Sequence, residues 1–275
     1  MAEVKMVVTD LDGTLLQSDQ SISPTDNDTL ERLGNLGVCR VAATGRNLYK
    51  VRQVLNENSP FDFVIVSSGA GIIDWKSQQL IRAISIPAVT TGEIIHYLIS
   101  ENQNFKVSRE LPDNHNFAWW ASYDCPELTR YVAHHKKFGD AVKIDPDEPF
   151  ISSQLLMFFP RESNQFELFK EKILLTFPEL SVIRTTSPLN PDYTWMEIFP
   201  NGVSKAHGIE EICRITGIDQ KSTLGIGNDF NDLEMLDFTH HSYVVGNAPE
   251  ELKIKYLISL AHDEDGFSHA VNKHL

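Results

Sequence analysis

The chain has 275 residues, 41% of them hydrophobic, enough to bury a substantial core and to build more than one domain. Its 38 acidic and 24 basic residues give a formal net charge of -14, which argues against nucleic acid or an anionic membrane as the main partner, since both select clustered Lys and Arg. The same charge leaves a small anionic substrate open, because a metal ion and a few local cations overrule a global field.

The N-terminus, MAEVKMVVTD, is too short and too soon charged for a signal peptide. No apolar run approaches the roughly 20 residues that cross a bilayer. Cys39, Cys125 and Cys213 are odd in number and far apart, so no disulfide framework is expected and a reducing cytoplasm is the default.

In chain order, Val4 to Thr9 is a β-branched run that ends in DLDGT. Ser23, Pro24 and Asp26 then make a helix start, with Leu30, Leu33 and Leu36 at helical spacing and Gly37 as the stop. VCRVAATGR reads as a second strand, Asn47 to Asn56 as a helix, and FDFVIVSSGAG as a third strand. Near-continuous apolar strands alternating with helices predict a doubly wound, Rossmann-like parallel sheet buried on both faces. From about residue 84 the pattern changes. FKVSRE, FAWWAS, QLLMFFP and LSVIRTT predict a more antiparallel α+β region, with helices near 90–101, 126–138 and 162–177. The α/β pattern returns with WMEIF, a helix over 204–216, STLGIG, a short helix at LEML, SYVVG and a helix from Pro249. The expected organisation is therefore a core in two parts, 1–83 and 190–275, around an inserted α+β domain at 84–189.

Three strands deliver polar residues at their C-terminal ends. In VVTDLDGTLL, Asp10 and Asp12 are two apart, so their carboxylates point to one side while the chain stays extended. Close carboxylates repel, and such a pair awaits a cation or divides nucleophile and acid roles; an Asp-Gly turn alone is common in any protein. Thr44, Gly45 and Arg46 supply a hydroxyl, an open backbone N–H and a cation at a strand-to-helix junction, a reasonable phosphate cradle. GNDFND places Asn228, Asp229, Asn231 and Asp232 after a third strand, where open α/β sheets bind ligands. Lys205 sits early in a helix, where a cation opposes the helix dipole.

DLDGTLL, ATGR, Lys205 and GNDFNDLEML resemble, in order, the four motifs of the haloacid dehalogenase-like hydrolase superfamily. The place of the insertion is similar to that in its Cof-like phosphatases with a type IIB cap. The resemblance implies that Asp10 is the nucleophile, Asp12 the general acid and base, and Thr44, Gly45 and Lys205 the phosphate holders. It implies a Mg²⁺ cofactor held by Asp10, the Asp12 carbonyl and the first acid of the fourth motif. That acid is Asn228 here, so Asp229 and Asp232 are expected to supply the missing charge. In the inserted domain, which the resemblance implies closes over the site, Arg109, Asn114, His115, Asn116, Trp119 and Trp120 are candidates to read a sugar, with Arg184 more ordinary. Arg46, His115 and Trp119 are the substrate residues carried forward, with Trp119 equally readable as core. The pairs His134-His135 and His240-His241 lack the spacing of a zinc site. The expectation is a cytoplasmic phosphatase of small phosphorylated metabolites, sugar phosphates foremost, acting as a monomer or homodimer. The alternatives are a phosphomutase and a ligand-binding protein that has lost turnover.

Overall fold

The computed structural model describes residues Glu3–Leu275; Met1 and Ala2, the start of the expected core, lie outside it. The chain forms two compact units, one comprising the chain through Arg46, Lys50–Arg82 and Ser204–Leu275, the other Asn47–Tyr49 and Ala83–Val203. In chain order the elements are β1 (Met6–Thr9), α1 (Pro24–Asn35), β2 (Cys39–Ala43), α2 (Leu48–Val51), β3 (Phe63–Val66), β4 (Gly71–Asp74) and β5 (Gln79–Ala83). There follow α3 (Ala88–Ser100), β6 (Phe105–Arg109), β7 (Phe117–Trp120), α4 (Pro126–His135), β8 (Ala141–Lys143), β9 (Ser152–Pro160), α5 (Gln165–Thr176), β10 (Leu180–Thr186) and β11 (Tyr193–Pro200). The chain ends with α6 (Lys205–Thr216), β12 (Thr223–Gly227), α7 (Leu233–Phe238), β13 (His241–Val244), α8 (Glu250–Lys253), β14 (Leu257–Ile258) and α9 (Gly266–Val271).

The first unit is an eight-stranded sheet in the order β14-β13-β12-β1-β2-β3-β4-β5. The six strands from β14 to β3 run parallel, as their unbroken apolar runs predict, and β4 turns back antiparallel to β3. Met6, Val8, Val41, Ala43 and Ile65 pack with Ile209 and Ile212 of α6 and Met235 and Leu236 of α7. Local capping fixes the helix ends. The Ser23 hydroxyl accepts the Asp26 N–H at 3.0 Å to start α1, and Gly217, with φ +71°, ends α6.

The second unit is a six-stranded sheet ordered β10-β11-β9-β6-β7-β8, antiparallel except between β7 and β8. Strand alternation gives it two cores. Leu155, Met157 and Phe159 of β9 join Ile94, Ile95 and Leu98 of α3 and Ile173 of α5, while Leu156 and Phe158 join Leu128 and Tyr131 of α4 with Trp195. The WMEIF strand expected in the returning α/β part is β11, which pairs antiparallel with β9 and β10. The second unit therefore ends at Val203 rather than at 189. The helix expected over 47–56 is one turn, α2, and Ser67–Ala70 is a tight turn between β3 and β4 rather than a continuation of the strand. Among the described residues no helix is long and apolar enough to cross a membrane.

Candidate active site

The register of the first sheet sets the site. Thr9 lies opposite both Ala42 and Ile226, so the residues that follow β1, β2 and β12 emerge side by side at one edge. The Asp10 N–H donates to the Ile226 carbonyl at 2.9 Å and the Thr44 N–H to Ile65 at 2.9 Å, which keeps both residues in line with the sheet.

Asp10 is buried, and Lys205 and Asp232 are fully so. Lys205 Nζ donates to Asp10 Oδ1 at 2.6 Å and to Asp232 Oδ1 at 2.6 Å. Helix α6 makes this reach possible by packing closely on β3: a Cβ on Gly208 would stand 2.9 Å from Ile65. Two carboxylates thus share one ammonium, leaving a surplus negative charge in a buried place. Burial, only partly offset by Lys205, pushes the Asp10 carboxyl up to about 7, with Asp232 and Asp12 adding to the rise. Burial pulls Lys205 the other way, and the two carboxylates overcome it, so its ammonium is held above the usual lysine range.

Asp232, expected among the metal ligands, has both oxygens committed. Its Oδ2 accepts the N–H groups of Asn228 at 2.8 Å and Asp229 at 3.1 Å, so it fastens the fourth motif's turn and aims Lys205. Asp10 Oδ2 accepts no hydrogen bond among the described contacts. Asn228 lies against the first motif: Gly13 has φ +70°, and a Cβ there would stand 2.6 Å from Asn228 Nδ2. The left-handed backbone is what favours glycine in that turn. Gly45 lies between the turn after β3 and the fourth motif, in ordinary contact range of both: from where its Cβ would be, Ser68 Oγ is 3.5 Å away and Asn231 Nδ2 3.7 Å.

Thr44 is buried, and its hydroxyl oxygen accepts the Arg46 N–H at 3.1 Å, which leaves its own proton to donate. Arg46, expected on the substrate side, grips Asp12: Nε donates to Oδ2 at 2.7 Å and Nη2 to Oδ1, while Nη2 also reaches Gln20 Oε1. Neither Gln20 nor Asn247, whose Nδ2 donates to the Gly13 carbonyl at 2.8 Å, has a signal in the sequence; single polar loop residues carry no period or spacing. Ser68, in the turn after β3, donates its N–H to the Thr44 carbonyl at 3.0 Å.

His115 and Trp119 belong to the second unit. The Trp119 ring is half-buried against the α4-side core with Lys143 Nζ 3.5 Å from its centroid, and His115 stacks on Tyr49 at 5.0 Å. Arg109 covers Phe150 at 3.7 Å. A cavity of about 590 Å³ lies at the opposite ends of β2 and β3, lined by Arg40, Asp62 and Lys76; these charges satisfy one another, and none of the residues at the Asp10 edge lines it.

The sequence matches the haloacid dehalogenase-like hydrolase family over residues 7–271, almost its whole length. The chain belongs to that family. As a haloacid dehalogenase-like hydrolase it is an enzyme, and its relatives are named phosphatases. The 5-amino-6-(5-phospho-D-ribitylamino)uracil phosphatase YwtE of Bacillus subtilis (strain 168) is 24% identical over 291 residues, covering 98% of each chain. The HMP-PP phosphatase of Serratia proteamaculans (strain 568) is 24% identical over 250 residues, 90% of this chain and 86% of that one. Among solved structures, the subclass IIB sugar phosphatase BT4131 gives a TM-score of 0.76 at 21% identity over 98% of each chain. The phosphatase BT1666 from Bacteroides thetaiotaomicron gives 0.79 at 21% identity, over 99% of this chain and 95% of that one. These likenesses establish an α/β core with a cap domain as the fold of this hydrolase.

Proposed function

We propose that this hydrolase is a Mg²⁺-dependent phosphatase of small phosphorylated metabolites, sugar phosphates foremost, working through an aspartyl-phosphate on Asp10 in the cytoplasm. The observation that carries the reading is the Asp10–Lys205–Asp232 chain, with one Asp10 oxygen held and the other open. A carboxylate so placed has a fixed attacking oxygen, the arrangement that covalent phosphoryl transfer needs.

The residues fit a hard divalent cation. The pocket holds a surplus negative charge, and the oxygens of Asp10, the Asp12 carbonyl and Asn228 are the donor type that Mg²⁺ takes, usually with waters and substrate phosphate completing the set. Asp229 follows Asn228 in the chain and is half-buried, and Asp232, whose oxygens are taken by Lys205 and two backbone N–H groups, contributes charge rather than a ligand. Bound there, Mg²⁺ supplies charge neutralisation for the phosphoryl oxygens.

The chain's own groups do the rest. Asp10 Oδ2 attacks phosphorus and the bond to the leaving oxygen breaks. Asp12 gives that oxygen a proton and later takes one from the water that cleaves the aspartyl-phosphate. Lys205 has a third N–H to offer the phosphate, and the Thr44 hydroxyl and Gly45 N–H complete the cradle. Arg46 grips both oxygens of the Asp12 carboxylate, so the guanidinium must let go of one of them before Asp12 exchanges a proton with substrate or water. The test is phosphate release from 4-nitrophenyl phosphate and from a panel of sugar phosphates. Release is expected with Mg²⁺, lost with chelator and absent in Asp10→Asn. A panel without release, with binding retained, would favour the ligand-binding alternative.

A further inference from the structure

The Asp12-Gly13 turn is held from outside by a residue that the reaction scheme does not use. Asn247, in the loop after β13, is exposed, yet both ends of its amide are engaged. Its Nδ2 donates to the Gly13 carbonyl at 2.8 Å and its Oδ1 accepts the His262 N–H at 3.0 Å. His262 opens a short 3₁₀ turn, His262–Glu264, whose next residue grips the loop that follows the first motif. Asp263 Oδ1 accepts the Ser18 N–H at 2.8 Å and Oδ2 the Ser18 hydroxyl at 2.6 Å. Two residues beyond Ser18, Gln20 receives Arg46, and Arg46 grips the Asp12 carboxylate.

These contacts close a ring. From Asp12 it passes along the chain to Gly13, across Asn247 to His262, on to Asp263, across to Ser18, then by Gln20 and Arg46 back to the Asp12 side chain. All of it lies in the first unit. Gly13 has no side chain and its backbone is left-handed, so beyond the bonds that Thr14, Leu15 and Leu16 make to the Leu11 carbonyl, its own carbonyl is the handle that Asn247 takes. We infer that Asn247 is a positioning residue, which sets the Asp12 main chain through the Gly13 carbonyl while the 262–264 turn sets the loop that steers Arg46. The inference rests on the phosphatase reading for its kinetic consequence, though not for the tether itself.

Asn247→Ala removes both bonds. Asn247→Asp keeps an acceptor for the His262 N–H but has nothing to donate to Gly13. Both are assayed with 4-nitrophenyl phosphate and glycerol 2-phosphate at saturating Mg²⁺, beside wild type and Asp10→Asn. Outer positioning groups typically cost ten- to a hundredfold when removed. The expected result is a kcat lower by roughly tenfold in both variants, a KM within about threefold, and an unchanged melting temperature, since the site is exposed. Wild-type kcat in either variant, or a loss that follows melting, overturns the inference. If wild type shows no turnover, the phosphatase reading fails and the tether is judged by amide hydrogen exchange over residues 11–20. Exchange roughly tenfold faster in Asn247→Ala supports it; unchanged exchange removes it.

Discussion

Asp10 holds its proton more tightly than a carboxylate in water because it is buried with a second carboxylate and one shared ammonium. Its pKa rises from the unfolded 3.8 to about 7, so between those values the folded protein binds the extra proton. Stability therefore falls as pH rises through that window, and the full penalty applies above about pH 7. Asp10→Asn leaves Lys205 and Asp232 as a balanced pair. In metal-free protein it is expected to raise stability by roughly 2–4 kcal/mol at pH 8 and by almost nothing at pH 4, while turnover disappears. Urea unfolding at the two pH values checks the sign; equal gains at both would contradict it. Asn228 poses the complementary question. Asn228→Asp has the same shape beside Gly13 but adds a charge, and the Mg²⁺ concentration for half-maximal activity is expected to fall by roughly tenfold, read from activation curves.

At the scale of elements, α6 is the lever on Lys205. Gly208→Val would drive a side chain into Ile65, 2.9 Å from the first added carbon, and push the helix off β3. A loss of roughly 1–3 kcal/mol by thermal melting, together with a lower kcat, is expected. This helix is legible in the sequence, because Ser204 caps it, Gly217 ends it and its apolar spacing is regular. Strand β11 is the converse case: six of its eight residues are buried in succession, so an antiparallel strand with cores on both faces reads like a parallel one. Alternation also places Lys106 on β6 but cannot show that it is buried, with Nζ 2.5 Å from Ser108 Oγ and 2.8 Å from Gln154 Oε1. Burial lowers its pKa from 10.5 to about 7, against a smaller opposing pull from Glu197. The unfolded chain binds the extra proton between those values, so the penalty is full below about pH 7 and relieved as pH rises toward 10.5. Lys106→Met, which leaves Ser108 and Gln154 opposite each other, is expected to stabilise by roughly 1–4 kcal/mol at pH 6 and by little at pH 10.5. Chemical denaturation at both pH values measures it.

Across the whole molecule, the change from unbroken apolar runs to alternating ones falls close to where the second compact unit takes up the chain, at Ala83. The polar strand ends are legible in the sequence, because Asp10, Thr44 and Asn228 each follow an apolar run. What joins them is not: the Arg46–Asp12 grip and the Asn247 bridge depend on loop paths that no local pattern encodes. The second unit is continuous in sequence but for one short segment and has its own cores, so Ala83–Val203 expressed alone is expected to melt cooperatively by circular dichroism. The first unit has no such independence. Asp10 and its partner Lys205 are 195 residues apart, and β12, which covers one side of β1, follows later still. At ribosomal speeds of about 5–20 residues per second, roughly 10–40 s separate the synthesis of the two. Throughout that interval β1 has an open, apolar edge and its carboxylate lacks an ammonium. The newborn chain is thus most exposed to aggregation before it can be an enzyme, and the order of translation, not only the final fold, is something this sequence has to survive.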